Sequence, residues 1–111
     1  MTDDELNEAI HQIVAAEEYR TYGLIIYIPD YANDLNASMG AIGQRWPNAV
    51  VVLEPRSVIH QYAFPGLATI FPTWDDMREY AEGEQLGEGS GEGTHARRLA
   101  GALLEALEDD R

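Results

Sequence analysis

Residues 24–53 read LIIYIPDYANDLNASMGAIGQRWPNAVVVL. Two short runs, 24–28 and 49–53, are apolar throughout and rich in β-branched residues. Such runs suit strands covered on both faces. Between them Leu35, Met39, Ile42 and Trp46 recur at helical spacing, which predicts a helix over about 31–45. Pro29-Asp30 and Pro47-Asn48 punctuate the ends. Gly40 and Gly43 weaken the helix by up to about 1 kcal/mol each relative to alanine. Strand, helix, strand within about 30 residues is the βαβ pattern, which predicts two parallel strands.

Outward from this stretch, Thr2 and Glu5 form a capping box. Leu6, Ile10, Ile13 and Val14 carry the helix it opens over about 3–18. Residues 57–64 fit either a helix or a strand. β-branched and aromatic enrichment favours a strand, turned back on the preceding one at Pro55-Arg56. Residues 67–71 form a further strand, stopped by Pro72. Thr73 caps a helix over 74–82, with Trp74, Met77, Tyr80 and Ala81 on its apolar side. Residues 83–93, rich in glycine and glutamate, read as a flexible loop. Thr94 caps a last helix over 95–108, its core face Ala96, Leu99, Ala100, Leu103 and Leu107. The expected fold is one small α+β or α/β domain spanning 1–111. It has a mixed three- to four-stranded sheet and helices packed on it, in the order α-β-α-β-β-β-α-α.

The chain has 111 residues and is 45% hydrophobic, enough for one core without staples. Cysteine is absent, which excludes disulfides, thiol catalysis and thiolate metal sites. Lysine is absent too, so all seven basic side chains are arginine. That removes phosphate-loop and Schiff-base lysines. No apolar run reaches transmembrane length. The acidic N-terminus is the opposite of a signal peptide's basic start. A cytoplasmic site of action is the expectation, in the host cytoplasm if the chain is phage-encoded.

Few residues carry a chemical signature. Asp30 and Glu54 follow the two strands of the βαβ reading. Parallel strands would bring them to the sheet edge where α/β sites form. With His60 they could hold Mg²⁺ for a small metal-dependent hydrolase or transferase. Against this, Asp30 can cap the following helix and Glu54 can pair with Arg56. His11 and His95 fall on helix surfaces without an evident partner. No serine stands in a nucleophile elbow. The run 87–93 matches a phosphate loop only in glycine content, and Glu88 and Glu92 would repel a phosphate. The tyrosines Tyr19, Tyr22, Tyr27 and Tyr31 lack the basic residues of a base-stacking surface. Neither a catalytic residue nor a cofactor nor a resident metal is expected.

Charge is the sharper signal. The chain carries 20 carboxylates and a net charge of −13. Residues 19–74 balance three acids with three arginines, so the excess lies in the flanks. Such a field repels nucleic acid and anionic membrane and attracts basic protein surfaces. In the last helix Arg97 and Arg98 open the first turn, while Glu105, Glu108, Asp109 and Asp110 close it. The helix dipole prefers the reverse, and no i,i+4 acid–base pair offsets it. In size, charge and lack of catalytic apparatus the chain looks like small acidic phage inhibitors of host defence, including anti-CRISPR proteins and other DNA mimics. It looks equally like immunity proteins that plug basic nuclease toxins. The leading expectation is a non-enzymatic binding protein that covers a nucleic-acid-binding surface of a basic partner. Its contacts would be Asp75, Asp76, Glu79 and Glu82, then Glu105, Glu108 and Asp109, then Asp3, Asp4 and Glu8. A third reading is a halophilic or housekeeping domain whose acidity serves solubility.

Overall fold

A computed structural model describes residues 1–16, 27–79, 82–91 and 93–110. The elements are α1 (Asp3–Val14), α2 (Leu35–Arg45), β1 (Val50–Glu54), β2 (Ser57–Ile59), β3 (Tyr62–Phe64), β4 (Gly66–Phe71), α3 (Trp74–Arg78), β5 (Gly87–Gly91) and α4 (His95–Asp109). β1, β4 and β5 form a three-stranded sheet in that order, and β2 and β3 form a separate pair. Every pairing among the described strands is antiparallel. The fold is α+β.

Among the described residues, three of the four helix starts follow the capping chemistry read from the sequence. Thr2 and Glu5 satisfy each other's backbone amides. The Thr73 hydroxyl accepts from the Asp76 amide, and that of Thr94 from the Arg97 amide. The fourth start is displaced. Residues 31–33 form an isolated turn in which the Asn33 and Asp34 amides donate to the Asp30 carbonyl, and the extended backbone of Asp34 (φ −116°, ψ 102°) separates it from α2. Asp34 then caps α2 by accepting from the Asn36 amide.

The core is built around α4. Leu99, Ala100, Ala102, Leu103, Ala106 and Leu107 are buried against Ala68 and Ile70 of β4 and against Leu6, Ile10 and Ile42 of α1 and α2. Asn7 helps to clamp the segment before α2 onto α1. Asn7 accepts from the Ala32 amide through Oδ1 at 2.8 Å and donates through Nδ2 to Asp30 Oδ1 at 2.9 Å.

Several expectations change. The strand at 24–28 lies mostly outside the described residues. Tyr27 and Ile28 are irregular, and Tyr27 is 75% exposed. The described sheet is antiparallel rather than mixed, since β1 pairs with β4. Residues 57–64 are neither one strand nor a strand turned at Pro55-Arg56. They fold on themselves, reversing at His60 and Gln61, both with positive φ (51° and 71°). Two positive φ values in a two-residue loop match the right-handed twist of the flanking strands. The register Glu54↔Leu67 continues as Ser57↔Phe64, so residues 50–71 are one ribbon. Prolines 55 and 65 interrupt it because neither can donate to a ladder. The helix at 74 ends at Arg78, and Glu82 lies in the turn that follows.

The largest departure is in residues 83–93, where Gly87–Gly91 is a strand rather than flexible loop. Gly87 and Gly89 are buried and face α4. A Cβ at Gly89 would collide with the Arg98 carbonyl and stand 2.9 Å from the Ala102 nitrogen. One at Gly87 would collide with the Ala102 carbonyl. The glycines therefore serve close backbone approach, which is one of the meanings of glycine in a strand.

Candidate partner-binding surface

Strand direction sorts the acids by end. β4 runs into Pro72-Thr73 and α3, so α3 lies at the carboxyl end of β4. Gly87 pairs with Ile70, which brings the loop before β5 to the same end. Gly89 faces Arg98 and Ala102, whereas Gly87 faces Ala102 and Ala106. Hence α4 runs alongside β4 in the same direction, and residues 105–109 reach that end as well. Asp75, Asp76, Glu79 and Glu82 thereby lie at the same end of the sheet as Glu105, Glu108 and Asp109.

The third group is elsewhere. Asp3 bonds Arg97 at 3.2 Å, which puts the start of α1 beside the start of α4. Asp3, Asp4 and Glu8 are therefore exposed away from the other seven acids. Asp3 also accepts from Asn33 Nδ2, and Glu8 accepts from Gln12. Their neighbour Glu5 titrates below the ordinary glutamate value, because its carboxylate accepts from the Thr2 amide and then from the Thr2 hydroxyl.

At the acidic end some carboxylates hold structure. Asp76 accepts from the Thr73 hydroxyl at 2.6 Å and from the Glu84 amide at 3.4 Å. Asp75 pairs with Arg78 at 3.4 Å, with both side chains well exposed. Asp110 pairs with Arg45 at 2.9 Å. Glu79, Glu82, Glu105, Glu108 and Asp109 are exposed and have no partner among the described residues. Beside them Trp74 is 59% exposed rather than on a buried face. Helical spacing predicts an apolar side for α3, but a turn and a half covers too little of the sheet to bury an indole at its first position. Met77 is half-buried, and Tyr80 and Ala81 lie outside the described residues.

The reversed charges of α4 divide into two cases. Arg98 is 95% buried by its 5% exposure and donates to the Gly93 carbonyl at 2.7 Å and, more weakly, to the Gly91 carbonyl. Its Nη2 lies 3.1 Å from His95 Nδ1, which must accept because guanidinium has no acceptor. Arg97 pairs with Asp3 and donates to the Met1 carbonyl. Both arginines are tertiary fasteners. The acids at the other end of the helix, Asp110 apart, face solvent unpaired among the described residues.

The metal reading loses its geometry. Asp30 is held by Asn7 and Asn33, and His60 is at the exposed tip of the hairpin. Glu54 ends β1, whose described pairing is antiparallel with β4, and the strand expected to run parallel to it lies mostly outside the described residues. Among the described residues no group of three or more histidines and carboxylates could hold a metal ion. His11 is buried and bonds the Tyr31 hydroxyl at 3.1 Å, and burial raises the pKa of that tyrosine. Neither His11 nor His95 is the unpartnered surface residue expected from sequence. A half-open cleft of about 200 Å³ is lined by Gly89, Ser90, Arg97, Arg98 and Gly101. Its two arginines are the fasteners just described.

No protein-family profile matches the chain, and neither a curated protein nor a solved structure is significantly similar to it. Among the described residues no helix is long and apolar enough to cross a membrane.

Proposed function

We propose that the protein is a non-enzymatic acidic binder whose α3–α4 end covers a basic, nucleic-acid-binding surface of a partner protein. The observation that carries this reading is the placement of two acidic groups, about 30 residues apart in sequence, at one end of the sheet, the first of them beside the exposed Trp74. Carboxylates at this density resemble the charge spacing of a phosphate backbone, which basic grooves are built to hold. Trp74 supplies the aromatic anchor that such interfaces concentrate their energy on. In biological terms the reading fits an anti-defence inhibitor of the DNA-mimic type, anti-CRISPR proteins included, or an immunity protein. The partner is a nuclease or nucleic-acid-binding complex in the cytoplasm, with no direct nucleic-acid or membrane contact.

The test is capture of host proteins on the immobilised chain, followed by binding measurements with the purified partner. Affinity should fall steeply with salt, because exposed charges are screened over about 8 Å at physiological ionic strength. The triple variant Asp75→Lys, Glu79→Lys, Glu82→Lys, which spares the structural Asp76, should abolish binding while remaining folded. Reversal of Asp3, Asp4 and Glu8 should leave most of it. Affinity indifferent to salt, or full binding by the triple variant, rejects the reading.

The unpaired acids also suit an acidic surface that serves solubility in a salt-rich cell. Unfolding measured against KCl separates the two: strong stabilisation by molar salt favours that second reading.

A further inference from the structure

We draw no further inference here: the strongest candidate, the uncharged outer edge of β3 in the β2–β3 hairpin, where Tyr62 is largely exposed, carries none because nothing in the structure shows what covers it.

Discussion

Strand β5 and the β2–β3 arm are both short antiparallel segments attached to β4, yet one is held beneath α4 and the other stands clear. β5 has no apolar side chain at all. It is buried because its alternate glycines let the helix backbone come close, with Arg98 fastening the turn that follows. The arm has β-branched and aromatic residues, with Val58 and Tyr62 largely exposed. The difference teaches that burial follows whatever surface is available to cover a segment. A glycine strand beside a helix of small residues finds one, and an apolar ribbon extended past the end of its sheet does not.

Four tests by substitution probe that contrast. The largest effect should come from Gly89→Ala, whose Cβ meets fixed backbone of α4. Forcing the helix away should cost about 3 kcal/mol, read as a lower denaturation midpoint in urea. If Gly89→Ala is neutral, close approach is not what holds β5. Next is Arg98→Ala, which strips the Gly93 carbonyl of its charged donor and should cost about 2 kcal/mol by the same measurement. In the arm, His60→Asn with Gln61→Gly replaces two strained residues by ones that accept positive φ. It should stabilise the hairpin locally by about 1 kcal/mol, seen as slower exchange of the Ile59 and Tyr62 amides. The smallest effect belongs to Val58→Ser and Tyr62→Ser. Global stability at low protein concentration should move by no more than about 0.5 kcal/mol, because these side chains are already in water. A loss of several kcal/mol would mean that the arm is part of the core after all.

Much of the framework was legible locally. Thr2, Thr73 and Thr94 cap helices because a hydroxyl and the amide two or three residues on need no distant partner. The buried stripe of α4 follows from helical period alone, as do Leu6 and Ile10 of α1. Illegible were the features in which one segment answers another. Arg98 reads as a charge misplaced on a helix dipole until the carbonyls of Gly91 and Gly93 are beside it. Asp30 reads as a metal ligand until Asn7 takes it up. Residues 87–91 resemble a linker because composition reports a segment's own flexibility and says nothing of a helix close enough to require glycine.

The acidic patch divides in the same way. Sequence by itself determined that the carboxylates are in the flanks, that they are too many for the arginines present, and that those of the last helix oppose its dipole. Charge is additive, so counting suffices for that. Only the tertiary structure decided which acids share an end. Strand direction carries Asp75 and Glu105 to one side and Asp3 to another, while Arg45 and Arg97 withdraw Asp110 and Asp3 into ion pairs. Position in space depends on how β4, β5 and α4 run past one another, and no local property of the chain encodes that direction.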